Sequence, residues 1–211
     1  MHDADWDRVL REEFQPRFLE MKAQSMRENY MQPRVVYGYF HCNASGNDLI
    51  VYHPQEEKKE LARFNFPRQP DKDLLCLSDY FAPVESGRID VAAFQIVTVG
   101  SHVLDLIARM NEQGNYSDAY YLHGFAVEAA EALAEYAHRH IKKQLGLKIN
   151  EGRRYSWGYP ACPDVSEHQK VFKLLPAEKI GMTLTSAGQL VPEASTAAIV
   201  VHHPEAKYYF I

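Results

Sequence analysis

The 211-residue chain carries three cysteines, Cys42, Cys76 and Cys162, far apart and without a CxxC pair. That spacing argues against a disulfide framework and fits a reducing compartment. No uncharged apolar run approaches the roughly 18 residues a membrane helix needs. The leading Met-His-Asp-Ala-Asp-Trp lacks the basic and apolar regions of a signal peptide, so a soluble cytoplasmic protein is expected. Excess positive charge is missing as well: 23 Lys and Arg stand against 28 Asp and Glu, a net −5. The basic pairs Lys58-Lys59, Lys142-Lys143 and Arg153-Arg154 are short, so no nucleic-acid surface is expected, because phosphate affinity needs clustered cations. Neither a P-loop nor a GxGxxG segment occurs, which removes support for a nucleotide hydrolase or a Rossmann-type binder.

What is present suits one domain. Hydrophobic residues make up 46% and charged residues 24% of the chain, enough for a sizeable core. Residues 1–30 read as an N-terminal helical segment and 31–211 as the main domain. Trp6, Val9, Leu10, Phe14, Phe18 and Met21 recur at three- and four-residue steps, which predicts a helix over 4–29 that Pro16 should kink or divide. Residues 34–42 and 48–53 are β-branched and aromatic around a turn-like Asn43–Asn47, a hairpin whose two apolar faces should both be covered. Further strands are expected at 61–66, 92–99, 181–185, 188–191, 196–203 and 207–210, with helices at 102–112 and near 166–174.

A long helix over 118–144, capped by Ser117, is also expected. Its main stripe is Leu122, Phe125, Ala126, Ala129, Leu133, Tyr136 and Ala137. A second stripe of Tyr120, Gly124, Val127 and Glu131 places its first half between two layers and its basic end in solvent. Strands in runs with grouped helices predict an α+β fold, a mixed, mostly antiparallel twisted sheet with helices packed on it.

The densest chemical signal is Arg153-Arg-Tyr-Ser-Trp-Gly-Tyr-Pro-Ala-Cys-Pro163. Two prolines and Gly158 predict a stiff loop of unusual dihedrals. Arginine can fork onto a carboxylate, and aromatic faces can stack on a heterocycle or a sulfonium, so a zwitterionic, ring-bearing ligand suits it. The alternative is a rigid surface loop whose aromatics merely plug the core. Cys162 reads as a packed thiol rather than a nucleophile, since no base is identifiable. His202-His203 does not read as a metal site, because adjacent strand residues diverge.

Arg154-Tyr-Ser-Trp-Gly-Tyr-Pro-Ala-Cys-Pro163 resembles the RxxxGYPACP signature of the AdoMet-binding activation (reactivation) domain of cobalamin-dependent methionine synthase. Lys179-Ile-Gly-Met-Thr-Leu-Thr185 is similar to that family's IG-x-x-LT strand, and His203-Pro-Glu-Ala-Lys-Tyr-Tyr209 to its HP-x-x-KYY ending. Val36–Phe40, Asn47–Ile50 and Ala130–Tyr136 follow in family order, so the resemblance covers roughly residues 12–211. It implies a C-shaped α+β module of a methyltransferase that binds S-adenosylmethionine and supports reductive methylation of cob(II)alamin, in methionine biosynthesis. Carried over by position, Arg154 would hold the AdoMet carboxylate, the Ser156 backbone would lie along the adenine, and Tyr208 and Tyr209 would contact the ligand. Gly158, Tyr159, Pro160, Ala161, Cys162 and Pro163 would form the motif loop, with Tyr159 towards the corrin.

Neighbouring residues of an extended chain point to opposite faces, so at most one of Tyr208 and Tyr209 should reach a ligand by its side chain. Glu131 is a secondary candidate, for an ammonium or a partner histidine on one reading and for a plain ion pair or partial exposure on the other. No residue is expected to act as acid, base or metal ligand. The family's cobalamin-binding DxHxxG pattern is absent, so the corrinoid is expected on a partner domain or a separate corrinoid protein, with flavodoxin or a flavoprotein reductase as electron donor. Two departures stand out: Asp5-Trp6 lies too near the Val35 strand to be the family's upstream acidic D-W-T-P segment, and the stretch before Arg154 is short. They motivate the alternative of a non-catalytic docking module for a corrinoid protein or flavodoxin.

Overall fold

Strand β4 (Asp90–Thr98) shows how the sequence builds the domain. Ala92, Phe94 and Ile96 face one side and Ala93, Gln95 and Val97 the other, all buried, as the period of two requires. A strand apolar on both faces needs a layer on each. The computed structural model, which describes residues 3–56, 58–71 and 73–211, supplies both. Six strands form one sheet in the order β3-β2-β1-β4-β8-β5, with β1 Arg34–Ser45, β2 Asp48–Tyr52, β3 Glu60–Asn65, β5 Arg153–Ser156 and β8 Ser195–Val201. Its ladders are antiparallel, and a single parallel bridge joins Ala44 to Pro83. β6 (Thr183–Leu184) and β7 (Leu190–Val191) pair as a separate two-stranded antiparallel ribbon.

On one face lies helix α4 (Tyr116–Gln144), preceded by α3 (His102–Glu112). Ala126, Ala130, Ala134 and Ala137 are buried at three- and four-residue steps. Their short side chains bring the helix axis close to β4 and β8, and Gln95 Nε2 donates to the Ala134 carbonyl at 3.0 Å. The opposite face carries the larger core, where Phe64, Phe94, Ile199 and Trp157 meet α5 (His168–Leu174) and the loops before it. Fully burying Phe94 there stabilises the fold by about 2–3 kcal/mol.

Several sequence expectations need correction. Asn115, not Ser117, occupies the N-cap of α4. Its second stripe is not sandwiched: Tyr120, Gly124 and Val127 are exposed. Burial instead continues to the basic end, through Ala137, His138 and Ile141, because the helix lies along the sheet for its whole second half, while Arg139 and Lys143 still point outwards. Residues 153–156, read as irregular, are the edge strand β5. Residues 207–210 form no strand, and β8 ends at Val201; His202 turns away to Asp90 and the ladder stops.

Near the N-terminus the helix is divided where Pro16 requires it. A π-turn at Leu10–Phe14 separates α1 (Asp3–Val9) from α2 (Gln15–Glu28), with the proline in the first turn of α2. Gln15 N still bonds Leu10 O in the π pattern, and Pro16, which has no N–H to give, falls where the helix returns from π to α.

Candidate functional site

Strand β5 places the motif. In its antiparallel register Tyr155 faces Ile199, while Arg154 and Ser156 stand opposite Val200 and Ala198. Alternation therefore sends Tyr155 into the larger core and the two polar side chains to the face covered by α4. There Arg154 meets Glu131, with Nη2 to Oε2 at 2.8 Å. Its Nη1 donates to Ser156 Oγ at 3.0 Å, which also accepts from Thr196 Oγ1 at 3.3 Å. The Arg154 side chain is only 14% exposed and that of Glu131 is 37%, so the cation is withdrawn from water while its partner carboxylate still meets it. Glu131 therefore forms the ion pair that was one of its two expected readings.

Beyond β5 the chain makes a closed turn. Gly158 N donates to Cys162 O and Cys162 N to Tyr159 O, both at 2.9 Å. Gly158 sits at φ +92, a region that side-chain-bearing residues avoid. The Cys162 thiol donates to Ser156 O at 3.0 Å, and burial pushes it up to about 12; it braces the loop and is no nucleophile. Trp157 plugs the core between Phe64 and Phe94, so for this aromatic the structural alternative holds. Tyr159 is exposed. Arg153 turns back onto the carbonyls of Asn150 and Gly152 and leaves Arg154 as the loop's cation.

Between this loop, β5 and the chain's last residues lies a cavity of about 330 Å³. Arg154, Glu131 and Ser156 line one part of it, Tyr159–Cys162 another, and Tyr208, Tyr209 and Phe210 close it. The structure thus gathers Arg154, Ser156, Tyr159, Pro160, Ala161, Cys162, Tyr208, Tyr209 and Glu131 at one place. Gly158 and Pro163 shape the loop from outside the lining. The two tyrosines differ in burial, Tyr208 being 67% exposed and Tyr209 only 8%, but both line the cavity, which corrects the expectation that at most one side chain could reach it. The Tyr209 hydroxyl is buried and, among the described residues, has no hydrogen-bond partner. Burial, foremost, and the nearby Cys76, Tyr80 and Cys162 push its pKa up, so it stays a neutral donor.

Tyr155 and Phe210 also border the cavity and were not among the expected site residues; no pattern in so short a strand singles out the first. Among the described residues no group of three or more His, Cys, Asp or Glu is placed to hold a metal ion. His202 binds Asp90 at 2.6 Å. No described helix is long and apolar enough to cross a membrane.

The chain is 38% identical over 199 residues to methionine synthase of Mycobacterium tuberculosis, covering 83% of the chain and 17% of that relative. With methionine synthase of Mycobacterium leprae the identity is 37%, covering 83% and 16%. The chain thus spans under a fifth of the length of these relatives. A crystal structure of the MetH reactivation domain bound to AdoHcy superposes with a TM-score of 0.86 at 27% identity, covering 96% of this chain and 71% of that one. The model of the vitamin B12 dependent methionine synthase activation domain matches residues 17–211, and the chain belongs to that family.

Proposed function

We propose that residues 31–211 bind S-adenosylmethionine in the cavity under the 156–162 loop and so support reductive methylation of a cob(II)alamin held on another domain or chain. The carrying observation is the Arg154–Glu131 pair at the edge of an otherwise aromatic cavity. An amino-acid zwitterion carries the same two charges in complementary order. Its carboxylate can take the guanidinium in a fork and its ammonium can take Glu131, replacing one ion pair by two without leaving a charge unmatched. Support also comes from a solved relative that carries AdoHcy, the demethylated form of the same ligand.

The residues present fit such a ligand. Ser156 holds the guanidinium from behind, and the backbone at Ser156 offers an edge along which adenine can lie. Tyr208, exposed and in edge contact with Tyr155 at 5.5 Å, provides a face for the ring or the sulfonium. Tyr209 offers a buried hydroxyl that lacks a partner among the described residues. Bound AdoMet supplies an electrophilic methyl group, and reduced cobalamin supplies the nucleophile. The chain's residues contribute proximity and orientation, not proton transfer: Cys162 is held protonated, and Arg154 and Glu131 neutralise each other. The corrinoid partner would meet the open side of the cavity, near exposed Tyr159 and Tyr208. Flavodoxin or a flavoprotein reductase would supply the electron.

Isothermal titration of the purified chain with AdoMet and with AdoHcy tests the reading. Saturable one-to-one binding is expected for both. Absence of heat and of any thermal shift at millimolar ligand would reject it in favour of a domain that only docks a corrinoid protein or flavodoxin.

A further inference from the structure

The last nine residues build one wall of the cavity without belonging to the sheet. Among the described residues, the backbone–backbone hydrogen bond within 203–211 is Ala206 N to His203 O, at 3.1 Å. Ala206 and Tyr209 pack into the larger core, Glu205 N bonds the tail's own His203 Nδ1 at 3.2 Å and Lys207 Nζ meets Asp73 at 2.7 Å, and the carbonyls of Lys207 and Phe210 are held by side chains of other segments. The Tyr155 hydroxyl donates to Lys207 O at 2.8 Å, and Lys207 N donates to the Tyr80 hydroxyl at 3.4 Å. Three residues on, Gln69 Nε2 donates to Phe210 O at 2.6 Å. Gln69 is itself buried, and its other amide atom, Oε1, accepts from Leu75 N at 3.3 Å. Its own backbone N–H reaches Leu75 O at 2.9 Å. The Phe210 ring is 81% exposed, so its carbonyl, not its side chain, is what the fold grips.

This grip answers a question that the sequence leaves open. The tail reads Lys207-Tyr-Tyr-Phe-Ile211, four bulky apolar or aromatic side chains in succession. Any of Tyr208, Tyr209 and Phe210 could fill the inner position, and an extended chain that slips by one residue exchanges inward and outward side chains. A strand would take its register from a ladder, but here there is none. Pins at Lys207 O and Phe210 O bracket the two tyrosines and leave one register, with Tyr209 inside and Tyr208 out.

We propose that Gln69, which does not line the cavity, is a positioning residue that sets the register of the ligand-facing tail by holding the Phe210 carbonyl. Gln69→Glu keeps the acceptor for Leu75 N but places a carboxylate oxygen against the Phe210 carbonyl. Gln69→Leu keeps the packing and removes the donor. In both, the tail loses its outer pin. The consequence for the ligand rests on the AdoMet reading above; the consequence for the tail does not.

The test labels the full chain with fluorotyrosine and follows the Tyr209 resonance, assigned by Tyr209→Phe, together with thermal unfolding and titration with S-adenosylhomocysteine. In the parent protein Tyr209 should give one resonance shifted by burial. In Gln69→Glu and Gln69→Leu it should move to the position of exposed tyrosines or broaden, while the unfolding transition stays cooperative and close to the parent's. Affinity for S-adenosylhomocysteine should fall about tenfold, as expected when one hydrogen bond that organises the site is lost.

A buried Tyr209 signal that persists in both variants overturns the proposal. So does failure of both variants to fold, which would make Gln69 a core residue with no separate role. A displaced Tyr209 with unchanged affinity overturns the ligand half. If the parent itself does not bind S-adenosylhomocysteine, the functional reading fails, and the fluorine signal still decides the register.

Discussion

Two of the molecule's cavities differ in lining as well as in size. The groove between α1–α2 and the first half of α4 encloses about 740 Å³, and the cavity under the motif loop about 330 Å³. The groove is lined by Phe14, Phe18, Tyr121 and Phe125, whose rings contact one another edge to face. Its guanidinium, Arg17, is already engaged by Asp118 and lies over the Tyr121 ring. The groove also carries His123 and Glu128; the smaller cavity differs in drawing its cation, its carboxylate and a buried hydroxyl without a partner among the described residues from three separate segments. Volume measures how helices splay, whereas convergence of polar groups in a dry place marks binding.

The sharpest way to break this contrast is Arg154→Ala. It removes the cation and leaves Glu131 facing the cavity without a partner. Affinity for AdoMet and AdoHcy should fall at least about tenfold, because hydrogen bonds to a charged group are among the stronger ones; titration measures it. Unchanged affinity would sink the assignment of Arg154. Next in size is Tyr209→Phe. Taking away a buried hydroxyl without a partner relieves a desolvation cost, so the ligand-free protein should unfold at the same temperature or slightly higher. AdoHcy affinity should drop by about threefold to tenfold if that hydroxyl donates to the ligand. Loss of stability with no loss of affinity would show the opposite role.

How far the sequence exposed these two regions follows from the physics of each. The motif loop was legible because Gly158, Pro160 and Pro163 restrict the backbone to few shapes, although one of its aromatics, Trp157, plugs the core. The sheet was legible where β4 and β8 alternate or run apolar. The second stripe of α4 misled: Tyr120, Gly124 and Val127 have the composition of a buried face, yet the N-terminal helices cover that side only in part, and helical periodicity does not report what lies opposite. Strand β5 and the tail failed for a related reason. Four residues are too few for a period of two to show, and the tail has strand-like composition while its backbone bonds go to Tyr80, Tyr155 and Gln69, partners remote in sequence.

A smaller effect concerns pH. The hydrogen bond to Asp90, foremost, raises the His202 pKa. Burial of Asp90 works the other way, but bonds from His202 and from the Ala82 and Val91 amides outweigh it and hold that carboxyl low. A raised histidine stabilises the fold fully below its unfolded value, about 6.5, and loses that contribution as pH rises through the folded value. The depressed Asp90 contributes above its unfolded value and loses it as pH falls. Burial lowers His138 and His168, and their contribution fades in the other direction, as pH falls. The informative quantity is therefore the stability difference between the parent and His202→Gln. It should shrink between pH 6 and pH 8, and a constant difference would remove the pair from the account.

The smallest expected effect lies in the larger groove. Phe18 is half exposed and touches Phe125 edge to face at 5.5 Å. Phe18→Ala gives up part of an aromatic burial and one ring contact, together about 1–2 kcal/mol, which thermal unfolding should register as a modest loss. AdoHcy titration should not change, since no residue of α2 lines the motif cavity. A shift in affinity would mean that packing between α2 and α4 reaches Glu131, three turns further along the same helix from Tyr120, and that the two cavities are coupled through α4. In that case the groove would belong to the binding apparatus, and the distinction drawn from its lining would fail.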